Sequence, residues 1–82
     1  MCLDVYNTFF DRIHEMLSEE GCEPNAQKDE WYITFLVKND DHFEVINRQI
    51  NDIGLKIFDS SDRRRRVRIR RCNQKCTVNF IC

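Results

Sequence analysis

Glycine and proline are scarce, two and one in 82 residues, and that scarcity excludes whole classes of chemistry. A phosphate-cradling P-loop and a dinucleotide fingerprint each need several glycines at fixed spacing, and neither motif is present. Long hydrophobic runs are missing too. The longest apolar-rich stretch, residues 31–37, spans seven residues, against the ~20 that a membrane-crossing helix requires. Residues 1–20 carry Asp4, Asp11, Glu15, Glu19 and Glu20 and lack a basic start followed by an apolar core. No secretory signal is read there, and an intracellular location, cytoplasmic or nuclear, is expected. Disorder is excluded from the other side. Nine aromatic rings and 41% hydrophobic residues give enough apolar surface to offset the entropy of ordering. A chain this short has no room for a second core, so one compact domain over residues 1–82 is expected.

Acid is absent from one end of the chain. The net charge of −1 hides a division: residues 1–62 hold all fourteen acids against five Lys and Arg, a balance of −9, while the last twenty hold eight bases and no acid. Those bases are Arg63, Arg64, Arg65, Arg66, Arg68, Arg70, Arg71 and Lys75. A block of one sign on an acidic body points to a polyanionic partner; the competing explanation is neutralisation by the acidic helices, within the fold or across a homodimer.

Apolar residues recur at helical spacing in Leu3, Tyr6, Phe10, Ile13 and Leu17, widened by Phe9 and Met16. This predicts an amphipathic helix that starts near Asp4 and stops at Gly21. Residues 22–30 read as a polar loop. Residues 31–38 alternate, with Trp31, Ile33, Phe35 and Val37 on one side and Tyr32, Thr34, Leu36 and Lys38 on the other, which predicts a strand. Asp41 with Glu44 has the form of a capping box for a second helix whose stripe is Phe43, Ile46, Ile50 and Ile53, with Gly54 as its stop. Residues 55–59 then read as a short strand.

The tail predicts a hairpin. With Asn73 and Gln74 at its tip, Ile69 lies opposite Val78 and Val67 opposite Phe80, which puts both apolar pairs on one face; a slip of one residue would set them against Thr77 and Asn79. The expected fold is therefore α+β in two layers, with the order α-β-α-β-β-β and two helices on one face of a four-stranded mixed sheet. Helix two, as a crossover, implies that the strands it joins run parallel.

The uncovered face of that sheet is expected to collect Tyr32, Leu36, Lys38, Lys56, Phe58, Arg66, Arg68, Arg70, Thr77, Asn79 and Ile81. Cations mixed with aromatic rings suit RNA or single-stranded DNA, because guanidinium groups meet phosphates while rings stack on bases. The predicted nucleic-acid-binding residues are Arg63, Arg64, Arg65, Arg66, Arg68, Arg70, Arg71, Lys75, Lys56, Tyr32 and Phe58, in a small regulatory protein of the kind phages and viruses use. The alternative is a protein-interaction module, an inhibitor or adaptor that is homodimeric through the same apolar and basic surfaces. No family motif is present.

Catalysis has little support. His14 and His42 read as surface histidines, and only a small ribonuclease would fit arginines and histidines on a short sheet. Cys72, Cys76 and Cys82 have weak metal-ligand spacing, Cys2 and Cys22 lie far away in sequence, and alternation points Cys72 and Cys76 to opposite faces. Reduced thiols and no cofactor or metal are expected.

Overall fold

The structure is a computed structural model that describes residues 3–58 and 67–81. Its elements in chain order are α1 (Leu3–Glu19), β1 (Asn25–Gln27), β2 (Tyr32–Leu36), α2 (Asp40–Ile57), β3 (Val67–Cys72) and β4 (Lys75–Phe80). Two helices and a four-stranded sheet make an α+β fold, as the sequence predicts. The sheet order is β1-β2-β4-β3 and every ladder is antiparallel.

α1 buries Tyr6, Phe9, Phe10, Ile13, Met16 and Leu17, the apolar stripe read from the sequence. It ends as a Schellman motif: the Cys22 N–H donates to the Leu17 carbonyl at 2.9 Å and the Gly21 N–H to Ser18 at 3.2 Å. Gly21 sits at φ 74, where a side chain would be strained. Cys22, one residue on, turns into the core and is fully buried.

The supposed polar loop holds a strand. Cys22, Pro24 and Ala26 are more buried than Glu23, Asn25 and Gln27 between them, and β1 pairs with β2 as a hairpin. Trp31 is not in β2. It closes the connecting turn at φ 58, a left-handed conformation that costs a non-glycine residue about 1–2 kcal/mol. Its indole recovers that cost by packing edge-on to Tyr6 and Phe10, with centroids 6.1 and 5.7 Å away.

The cap of α2 lies two residues before the expected one. Asn39 is the N-cap, its Oδ1 accepting from the His42 N–H at 2.8 Å, so Asp41 and Glu44 form no capping box. Nor does Gly54 stop the helix. The 3.6-residue spacing of Ile46, Ile50 and Ile53 continues to Ile57, and Phe58 then packs its ring against Phe9 at 5.1 Å and Tyr6 at 5.5 Å. One glycine costs a helix only about 1 kcal/mol, less than that packing returns. The strand expected at residues 55–59 is therefore helix through Ile57, and the mixed sheet becomes an antiparallel one. The crossover argument survives in altered form: α2 joins β2 to β3, which run parallel with β4 between them.

The tail hairpin has the predicted register, with Ile69 opposite Val78, Val67 opposite Phe80, and Asn73 and Gln74 at the tip. Asn73 supplies the one positive φ, 57, that the turn needs. Both helices cover one face of the sheet, where Ile33, Phe35, Val67, Cys76, Val78 and Phe80 join the helical side chains in one core.

Candidate nucleic-acid interface

Alternation along antiparallel strands fixes what the other face carries. Residues opposite one another in neighbouring strands project the same way, so the pairings define rows across the sheet. One row reads Gln27, Tyr32, Asn79, Arg68; the next Asn25, Thr34, Thr77, Arg70; the third Leu36, Lys75, Cys72. None of these rows contains an acid. All of these side chains are exposed or half-exposed, and Leu36 shows 43% of its surface.

The basic side of this face is the β3 margin. Arg68 and Arg70 stand about 6–7 Å apart along the strand, and Tyr32 lies in Arg68's row about 10 Å away, across Asn79. Lys75 continues the positive line towards the hairpin tip. The acidic helices lie behind the sheet, roughly one sheet-to-helix layer or ~10 Å distant, comparable to the Debye length at physiological salt. A local positive field can therefore persist on a molecule whose net charge is −1.

Three predicted site residues lie elsewhere. Arg71 projects to the helix side: its Nη2 is 2.7 Å from Asp40 Oδ1, its Nε donates to the Asn73 carbonyl at 2.7 Å, and its guanidinium carbon lies 4.9 Å from the centre of the Phe43 ring. The cause is parity, since Arg71 is an odd neighbour of Arg70 and faces with Val67 and Ile69. Lys56 sits in the last turn of α2, where its charge favours the helix carbonyl end, and Phe58 is taken into the aromatic cluster. Both errors descend from the supposed strand at residues 55–59. Arg63, Arg64, Arg65 and Arg66 fall outside the described residues. Lys38 is exposed just beyond β2.

Sequence reasoning missed three residues of the face: Asn25 and Gln27, because residues 22–30 read as loop, and Cys72, which shares a row with Leu36 and with the predicted Lys75. The polar alternation of Glu23, Asn25 and Gln27 was the available signal for the first two.

Two of the three described thiols lie on the opposite side, and the third, Cys72, on the open face. Cys22 and Cys76 are buried thiols and Cys72 an exposed one, all free. Burial, then the Glu20 carboxylate and Cys76, push the Cys22 thiol from 9.0 up to about 11. Burial raises the Cys76 thiol too, with Arg71 opposing. His42 is no solvated surface group: its Nδ1 accepts from the Lys38 N–H at 3.0 Å and its Nε2 lies 3.9 Å from Cys22 Sγ. An accepting Nδ1 places the proton of a neutral ring on Nε2, facing the sulfur. Among the described residues no three His, Cys, Asp or Glu side chains are placed to hold a metal ion, and no helix is long and apolar enough to cross a membrane. No protein-family model, curated protein or solved structure matches the chain significantly.

Proposed function

We propose that this chain is a small nucleic-acid-binding regulatory protein that lays a single strand, RNA or DNA, along the β3 margin of its open sheet face. The observation that supports the reading is one shared row: Arg68, Asn79 and Tyr32 stand side by side, with Arg70 one row on and Lys75 beyond it, and none of these paired rows contains an acid. Arg68 and Arg70 match the spacing of successive phosphates in an extended strand, and Tyr32 offers a base the stacking surface that a duplex would deny it. Asn79 and Gln27 carry amides in the same row for the base edge. The arginines at 63–66, which precede β3 in the sequence, add sequence-independent charge. The role is binding rather than catalysis.

The test is titration of random-sequence single-stranded and duplex probes at two salt concentrations. Single strands bind more tightly than duplex, and affinity falls as salt rises. Replacing Arg68, Arg70 and Lys75 together by Ala lowers affinity for every sequence and flattens the log–log salt slope by about 2, at ~0.7 per phosphate contact. Tyr32→Ala costs about 1–3 kcal/mol of binding with little change in salt slope. Arg71→Ala leaves affinity unchanged and instead removes about 1 kcal/mol of fold stability, the worth of an exposed ion pair and a cation–π contact. Absence of salt-sensitive binding by the wild type overturns the proposal.

A further inference from the structure

The sheet has two edges, and they differ. β1 offers three residues and β3 offers six, with β3 pairing only to β4. The direction of the outward groups can be read from one hydrogen bond. The Phe80 N–H donates to the Trp31 carbonyl on the β2 side, so the even residues of β4 turn their backbone to β2 and Lys75, Thr77 and Asn79 turn theirs to β3. Their partners Cys72, Arg70 and Arg68 face inward. Val67, Ile69 and Arg71 then aim their N–H and C=O groups out of the sheet, with no strand beside them among the described residues.

Charge selects the occupant. A second copy related by a two-fold axis would pair antiparallel with the same face up; centred on Ile69 it sets Arg68 against Arg70, and centred on Arg70 it sets that arginine against itself. Directly opposed like charges destabilise a ladder, so the arginines guard the edge against self-pairing. The same two residues attract a strand with acids at alternate positions. Between them Ile69 faces the core layer opposite fully buried Val78, yet stays only half-buried because its outer flank is open. An apolar residue between the two acids would cover it. On the helix side Arg71 is already neutralised by Asp40, so no acid is called for there.

We infer that the outer edge of β3 docks, by strand addition, an extended segment of another protein that alternates acidic with apolar residues. The inference does not rest on the nucleic-acid reading, since the backbone groups at the edge carry the docking whether or not the face binds nucleic acid; because both ligands would engage Arg68 and Arg70, peptide and nucleic acid should compete.

The experiment adds a short, end-blocked peptide of alternating Glu and Val to the full chain and follows amide hydrogen exchange residue by residue. Exchange at Ile69 and Arg71 slows by roughly tenfold or more, as each N–H gains a ladder partner. A matched Lys–Val peptide does not bind. Methylating the backbone nitrogen of Ile69 in a chemically assembled chain abolishes peptide binding while salt-sensitive binding of single-stranded probes persists. Arg68→Glu with Arg70→Glu reverses the preference to the Lys–Val peptide. Equal binding of both peptides, protection confined to other residues, or retained binding by the methylated chain overturns the inference. So does protection of Ile69 and Arg71 that rises with protein concentration alone, which would place a second copy on the edge.

Discussion

Cys22 shows how a single side chain can report on the whole fold. It terminates α1, fills the core and faces His42, and its thiol is held protonated to about pH 11. An unfolded chain releases that proton near the ordinary value of 9.0. Because the folded value is raised, the contribution is fully present below pH 9 and is lost as pH climbs from about 9 to about 11, where the shift corresponds to roughly 2–3 kcal/mol. Cys22→Ala removes that dependence. The check is urea denaturation of both proteins at intervals from pH 8 to pH 11: the stability gap between them should narrow steadily, and a constant gap would contradict the assignment. Under native conditions at neutral pH, alkylation should reach exposed Cys72 well before Cys22 or Cys76, as counted by mass.

At the scale of elements, Gly54 is the informative position. It is helical rather than left-handed, and a Cβ placed there would lie 3.5 Å from the Phe9 ring, an ordinary contact. Gly54→Ala should therefore stabilise the fold by about 0.5–1 kcal/mol, read as a higher denaturation midpoint, whereas Gly21→Ala, at φ 74, should lower it by about 1 kcal/mol. The misreading of Gly54 also marks where the sequence stopped being legible. Periodicity identified both helices, β2 and the complete register of the tail hairpin, because each of those segments spans at least two periods and separates apolar from polar sides. It failed at residues 55–59, where Leu55 and Ile57 fit alternation and helix equally well and only packing of Ile57 and Phe58 against α1 decides. It failed at β1 because three residues carry too little pattern. The open face was legible for Tyr32, Arg68, Arg70, Thr77 and Asn79, since parity along a correctly registered strand determines it. Arg71 was counted with the block by charge alone, and the same parity excludes it.

For the molecule as a whole, one core joins both helices to the sheet, and 82 residues imply a total stability of about 4–12 kcal/mol. Phe35 and Ile50 lie on opposite sides of that core, at 2% and 0% exposure. Truncating Phe35 to Ala should cost about 3–5 kcal/mol and Ile50 to Ala about 2–5, enough to leave a measurable unfolded fraction at 25 °C; a loss under 1 kcal/mol at either would refute the packing described. The position of β4 has a consequence for how the protein is made. β4 is the last strand among the described residues, yet it stands inside the sheet between β2 and β3, and the Tyr6 hydroxyl donates to the Ile81 carbonyl just beyond it. A nascent chain emerging from a ribosome at ~5–20 residues per second has both helices and three strands outside the tunnel before the strand that unites them appears. During that interval β2 and β3 have no common neighbour, the core layer of Ile33 and Phe35 is uncovered, and the basic strand drifts free of the acidic body. Folding is thus postponed until residues 75–80 have emerged, and a chain truncated before residue 75 should lack the strand that joins β2 to β3 and fail to fold.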